Sequence, residues 1–451
     1  MKNIMKKYSL FHIAVAGITI FSSCSKNLDD VQPNTQVTFD QINRSNLPLV
    51  LNGAKLALTN NALYQIFGLQ DVMSDDFQSI AYVTYEGNNV PSTDNSLTFA
   101  YKQPYQCIAN ANMAIGFATQ QPAGDSLITT NMGEAYLLRA YSYMLLTEMF
   151  GDVVIVKGGE NPKAHPVRNA VSEVRQLIES DLKAAAGALP DYAGQSTMGS
   201  KQAAQLLLAR LYLNTGRNDE ALSMANAVIN SNKLKLQSNF GDIFKATVNS
   251  PEALYKINEI STNNSTLYGL PSTFGSGKYG TVVRAGSGNT WVDSMLVKTY
   301  EASDIRRAYF LRNKGGSILD TVYFVTKFPE EVTPSYPICR YSEAFLIVAE
   351  ANARKGVVDL TTYNQLRSAR KTSIRNSADF ADAPAFLAEI EMERRREFLG
   401  ERLRWSDMQR FGKMNSWLQS FGQPASHVLL PIPSREFPIN PNLTQNPDYS
   451  K

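Results

Sequence analysis

The stretch AAQLLLARLYLNTGRNDEALSMANAVI, residues 203–229, decides the fold class. Its apolar positions recur every three or four residues, the helical period, and Gly216 interrupts them. The reading is two helices joined by a tight turn, with Ala209 and Tyr212 before it and Ala221, Ala225 and Val228 after it. Small residues at these offsets let two antiparallel helices approach closely.

Such a helix–turn–helix resembles a tetratricopeptide unit. A second version stands at RYSEAFLIVAEANARKG with TTYNQLRSAR (340–356 and 361–370), split near Gly356. Upstream, EAYLLRAYSYMLLTEMF (134–150) puts Leu138, Tyr141, Leu145 and Met149 on one stripe, with Gly151 where a helix C-cap belongs. VSEVRQLIESDLKAAAGAL (171–189) is amphipathic through Val174, Leu177, Ile178 and Leu182, and Pro190 ends it. Val153 to Val156 suits a short strand. EIEMERRREFLGERLRWSDMQRFG (389–412) reads as one charged helix that pairs Glu391 with Arg394 or Arg395 and Glu393 with Arg396, while Phe398, Leu399, Trp405, Met408 and Phe411 are buried. Its interleaved acids favour a structural ion-paired helix over an anion site. The chain is therefore mostly α.

Two stretches break this pattern. Residues 71–98 and 258–292 are rich in Gly, Ser, Thr, Asn and Asp and read as long loops, which in a compact domain are usually functional or disordered. The end, from Leu429, carries Pro431, Pro433, Pro438, Pro441 and Pro447, which forbid regular helix and suggest an extended segment on the surface.

At the start, Lys2, Lys6 and Lys7 precede an apolar run from Tyr8 to Phe21, then Ser22, Ser23 and Cys24. This is the order of a signal peptide. The apolar run falls short of the ~20 residues that span a bilayer, so a retained membrane helix is not expected. Cys24 fits the acylated cysteine of a bacterial lipobox, with Phe21 where Leu is usual; the alternative is an ordinary secretory leader in which Cys24 is incidental. The polar run SKNLDDVQPNTQ then reads as a tether. The expected organisation is leader 1–23, lipid-anchored tether 24–38, an N-terminal helical region 39–257 and a C-terminal region 258–451 that carries the loop insertion.

The leader holds three of the 44 basic residues and none of the 41 acidic ones, so the mature chain is formally neutral. That disfavours nucleic-acid partners and polybasic adhesion to membranes. Beyond the lipid site, Cys107 and Cys339 are too few for a disulfide scaffold; they are either two buried thiols or a single bridge. His165 and His427 are the only histidines after the leader, and no His or Cys cluster has metal-ligand spacing, so no metal or other cofactor is expected.

Asp75 and Asp76 are adjacent, which suits loop capping or hydrogen bonding to a ligand better than a glycosidase pair facing each other across a bond. GSGKYG (275–280) lacks the spacing of a phosphate loop. The aromatics Tyr82, Tyr85, Tyr268, Phe274, Tyr279 and Trp291 lie in the two polar loops, where a flat ring among Asn, Asp and Ser suits the face of a sugar; loop packing is the plainer explanation for any one of them.

Several segments together are similar to the SusD/RagB family of surface nutrient-binding lipoproteins: YQCIANANMAI (105–115), LLRAYSYMLLTEMFGDVVIV (137–156), RYSEAFLIVAEA (340–351), ERRREFLGERLRWSDMQRFG (393–412) and LLPIPSREFPINPNLTQNPDY (429–449). The last two are the most specific, and the order covers nearly the whole mature chain. The resemblance implies a SusD-like helical fold with tetratricopeptide-type pairs supporting a loop-rich ligand face. It also implies a non-catalytic protein of the outer membrane, facing outward, that passes an oligosaccharide to a TonB-dependent transporter. A peptide-binding member and a helical-repeat adaptor are the alternatives. On this footing the ligand-binding candidates are Asp75, Asp76, Tyr82, Tyr85, Asn88, Tyr268, Phe274, Tyr279 and Trp291. Arg394 to Phe398, Trp405 and Asn440 to Pro447 read as scaffold.

Overall fold

The computed structural model describes residues 38–59, 62–79, 83–159, 164–258, 278–279, 282–283, 290–312, 322–328 and 335–451. Residues 1–37, which include Cys24, the expected leader 1–23 and all but the last residue of the expected tether 24–38, lie outside them. Residues Asn43–Lys451 make one compact unit. Before it, Phe39–Gln41 is a single 3-10 turn in which the Thr38 N–H donates to Gln41 Oε1 at 3.1 Å.

The helices follow in order: α1 Leu47–Thr59, α2 Ala62–Met73, α3 Val83–Glu86, α4 Asn95–Thr119, α5 Ser126–Phe150, α6 Val171–Ala188, α7 Lys201–Asn214, α8 Asn218–Asn230, α9 Ser294–Lys298, α10 Tyr341–Arg354, α11 Thr361–Ala369, α12 Ala383–Glu397, α13 Arg404–Arg410 and α14 Met414–Ser420. The strands are short: β1 Phe77–Ser79, β2 Ala253–Asn258, β3 Lys278–Tyr279, β4 Val282–Val283, β5 Thr290–Val292, β6 Phe310–Arg312, β7 Tyr323–Val325 and β8 Ser335–Arg340. Helices pack in a running row, α1 on α4, then α5, α6, α7 and α8, with α10 closing on α8 and α12.

The turn at Gly216 is as the residue pattern predicts: α7 ends at Asn214, Gly216 takes φ 75° and α8 begins at Asn218. Gly356, φ 84°, separates α10 from α11 in the same way. Gly151 caps α5 at φ 70°, and a Cβ there would stand 2.7 Å from Leu429 Cδ1, so both conformation and contact require glycine. Burial on α5 exceeds the expected stripe. Leu137, Tyr143, Leu146 and Phe150 are buried as well as Leu138, Tyr141, Leu145 and Met149, which makes α5 a central helix packed all round. Val153 forms only an isolated bridge with Asn169.

Other expectations change. The span 389–412 is two helices: Gly400 (φ 72°) and Arg402 (φ 62°) turn the chain between α12 and α13. Within that span Glu393 does pair with Arg396, at 2.8 Å, but Glu391 pairs with Arg404 and Lys413, Arg394 with Asp407, and Arg395 with Asp76. Residues 71–98 hold the end of α2, β1, α3 and the start of α4 rather than one loop. The proline-rich end is partly core: Leu430, Ile432 and Leu443 are buried, and Asn446 Nδ2 donates to the carbonyls of Phe150 (3.0 Å) and Leu430 (2.7 Å), tying this segment to α5. Of 258–292, the described residues outside β2 form β3, β4 and β5.

Charge is concentrated in the interior. Glu397, at the end of α12, accepts from Arg340 (2.8 Å), Arg370 (2.6 Å) and Arg306 (2.8 Å). Arg340 also reaches Glu252 and Glu401, and Arg370 reaches Glu252. Arg340, Arg370 and Glu397 are at most 1 % exposed. Cys107 and Cys339 are unbridged and buried, and burial pushes both thiols up to about 12. Among the described residues no helix is long and apolar enough to cross a membrane, and no group of three or more His, Cys, Asp or Glu is placed to hold a metal.

Candidate functional site

The chain leaves α2 through Ser74, Asp75 and Asp76 and enters β1. β1 pairs antiparallel with β5: Phe77 opposite Val292, Gln78 opposite Trp291, Ser79 opposite Thr290. β7 and β6 complete a four-stranded sheet. Alternation along the strands sends Phe77, Ser79, Thr290 and Val292 inward, all buried, and leaves Gln78 and Trp291 on the outer side. Ser79 and Thr290 hydroxyls lie 2.9 Å apart beneath the sheet. On the outside, Trp291 Nε1 donates to Gln78 Oε1 at 3.0 Å. The result is a half-exposed indole whose orientation is set by a cross-strand amide, with the polar atoms of Gln78 beside it.

Two arginines fix the strand ends. Arg404 donates from Nε and Nη2 to both oxygens of Asp75, at 2.6 and 2.8 Å, the bidentate geometry that best joins these groups. Arg395, from α12, donates to Asp76 Oδ1 at 2.5 Å and to the Asp75 carbonyl, and lies 3.7 Å from Asp293 just beyond β5. The Asp293 N–H donates to the Asp76 carbonyl at 2.9 Å. One guanidinium therefore bridges the start of β1 and the end of β5. Burial pushes Asp75 up, but Arg404 and Arg395 outweigh it and hold the group below its ordinary value. Asp76 is more deeply buried, and burial together with Asp75 pushes it up to about 6 despite Arg395.

The expected site residues separate into three groups. Asp75, Asp76 and Trp291 are brought together. Asp76, at 1 % exposure, is committed to Arg395 and supports the strand pair from below instead of lining a surface. Tyr85 (4 %) and Asn88 (0 %) are also buried, in and after α3, which packs on β1. Asn88 takes φ 52°, a conformation asparagine tolerates, and its carbonyl faces His427 Nδ1 at 3.3 Å, so it is a turn residue under the face. Tyr82, Tyr268 and Phe274 lie outside the described residues; Tyr279 lies on β3, paired with Val282. Sequence reasoning missed Gln78, Arg395 and Arg404. The signal available was the alternation in DFQS and TWVD, read as two facing strands.

Arg395→Gln is expected to keep the fold but lower stability by about 3 kcal/mol, because a buried carboxylate loses its partner. The loss should be larger at pH 8 than at pH 5, since Asp76 escapes the penalty by taking a proton. Urea unfolding at the two pH values checks this; equal losses at both would contradict the role given to Asp76.

Residues 27–213 match a family described as starch-binding and associating with the outer membrane, and residues 288–449 match the SusD family. SusD-like protein P2 of Formosa agariphila is 27 % identical over 411 residues, covering 79 % of this chain and 81 % of that protein. Among solved structures, a SusD superfamily protein from Bacteroides thetaiotaomicron superposes with a TM-score of 0.78 at 23 % identity, covering 90 % of this chain and 100 % of the other. A laminarin binding SusD-like protein superposes at 0.75 with 21 % identity, covering 90 % and 99 %.

Proposed function

The chain belongs to the SusD/RagB family, and from that premise we propose that it is a non-catalytic surface lipoprotein that binds a nutrient oligosaccharide and passes it to a TonB-dependent outer-membrane transporter. Acylation of Cys24 anchors it to the outer membrane with the fold facing outward. The observation that carries the sugar reading is the Trp291–Gln78 pair on β5 and β1: a flat apolar ring turned outward, with hydrogen-bonding groups at its edge. A pyranose needs both, a CH face to stack and hydroxyls to satisfy. Tyr82, Tyr268, Phe274 and Tyr279 remain ligand-binding candidates in the proposal on the strength of the sequence, and Asp75, 22 % exposed at its side chain, stands at the start of β1. The laminarin-binding neighbour and the starch-binding description of the family support a glycan as ligand. Modest affinity suffices, because capture next to a transporter raises the local concentration.

Trp291→Ala is expected to weaken glycan binding about tenfold, or about 1.4 kcal/mol, without moving the melting temperature. A glycan array followed by calorimetry on the mature protein provides the ligand and the measurement. Clear peptide binding with no glycan bound would replace the sugar reading with the peptide one. Co-purification with an outer-membrane transporter tests the partner, and labelling with a fatty-acid probe, absent in Cys24→Ala, tests the anchor.

A further inference from the structure

A concavity lies among the helix pairs, and no residue of the β1–β5–β7–β6 sheet lines it. It has a volume of about 410 Å³, within the range of small-molecule sites, and is walled by α5, α6, α7 and α13. Half-buried Glu148, on α5, opens into it. Among the described residues its carboxylate has no hydrogen-bond or ion-pair partner.

The charged groups around Glu148 are otherwise engaged. Arg210 of α7 is held by Glu343 at 2.6 Å, and Arg402 reaches the Tyr141 hydroxyl. Asp407 and Arg410 of α13 pair with each other, and Arg410 also takes Glu350 at 2.6 Å. Asp152 accepts the Val171 N–H at 2.8 Å. Arg175 of α6 is the exception: it is exposed, shares the cavity and influences Glu148 electrostatically, yet forms no ion pair among the described residues. The cavity thus offers one uncommitted carboxylate inside and one uncommitted guanidinium at its edge. An internal ion pair would satisfy both, yet they form none, although both line the same cavity.

We propose that this cavity is a ligand site in its own right, taking a small molecule that places a primary ammonium group against Glu148. Amino sugars and free amino acids both present that group; an amino acid adds a carboxylate for Arg175, whereas an amino sugar adds hydroxyls for the Gln409 and Asn214 amides that also line the cavity. Burial raises Glu148 to about 7, so an arriving ammonium group displaces protons from the protonated fraction at neutral pH.

Calorimetry on the mature protein with glucosamine, glycine and N-acetylglucosamine tests the proposal. At least one amine should bind with a dissociation constant on the order of 1 mM, the range set by so small a ligand, with a heat that depends on the buffer's ionisation enthalpy. Glu148→Gln, which keeps the side-chain shape and removes only the charge, should weaken that binding at least tenfold; Trp291→Ala should leave it unchanged. Arg175→Ala distinguishes the sources, weakening glycine and sparing glucosamine. The proposal is overturned if neither amine binds, if Glu148→Gln binds as well as the parent, or if N-acetylglucosamine, which lacks the charge, binds equally. Because neither Trp291 nor Gln78 lines this cavity, failure here and failure of the glycan reading are separate results.

Discussion

Glu397→Ala is expected to destabilise the protein by 3 to 5 kcal/mol, roughly, the cost of removing one partner from a buried ionic cluster. Arg306, Arg340 and Arg370 all donate to this carboxylate, and each is at most 2 % exposed, so none can turn to water when it is gone. The remaining acids, Glu252, Glu393 and Glu401, are already shared. An unfolding entropy of roughly 2.1 cal/mol/K per residue over a unit of this length turns 4 kcal/mol into a fall of about 5 °C in melting temperature. Differential scanning calorimetry reads this directly. Glu397→Gln should fall nearly as far, because an amide keeps the shape and loses the charge. A melting temperature within 1 °C of the parent for both variants would mean that the cluster holds nothing together.

The second large effect is acid instability below about pH 4. Burial alone would push Glu393, Asp407, Glu397 and Glu350 up, but the surrounding arginines more than offset it, bringing Glu393 and Asp407 down to about 2 and holding Glu397 and Glu350 below the ordinary range. A carboxylate depressed in the folded state contributes stability that is complete above its unfolded value near 4 and is lost as pH falls through the folded value. At about 1.4 kcal/mol per pH unit, Glu393 and Asp407 alone account for several kcal/mol between about pH 4 and pH 2. Asp76 and Glu148 act oppositely: raised to about 6 and about 7, they cost stability at neutral pH and return it as pH falls toward 4. Maximum stability is therefore expected near pH 5. Denaturant midpoints measured from pH 2.5 to pH 8 check the profile, and a flat curve between pH 6 and pH 3 would contradict it.

What the residue pattern made legible is what is local. The α7–α8 and α10–α11 turns and the end of α6 depend on neighbours within a few residues, and so does the positive φ of Gly151, although its contact with Leu429 does not. The break between α12 and α13 was harder to see because Gly400 sits inside a run whose apolar period continues through Trp405 and Met408. The ion pairs were largely unreadable: Arg340 meets Glu401 across 61 positions and Arg306 meets Glu397 across 91, while helical spacing suggested nearer partners that only Glu393 and Arg396 adopt. Trp291 stood out as an aromatic in polar surroundings, but Gln78 did not, since only the strand register joins them. Asn88 reads as surface loop in the sequence because part of its surroundings comes from far away, His427 near the other end, while Tyr85 is buried on α3, a short helix that the polar composition hides.

The two halves of the outward face are 213 positions apart, one on β1 and one on β5. Closing so long a loop costs entropy that local helix formation does not, so the helix pairs can form well before the face does. A polypeptide made from its N-terminus carries Gln78 long before Trp291 arrives to meet it. Assembly of this face is thus a late folding event: a fragment that stops short of β5 has the residues of the α7–α8 pair but no strand partner for β1.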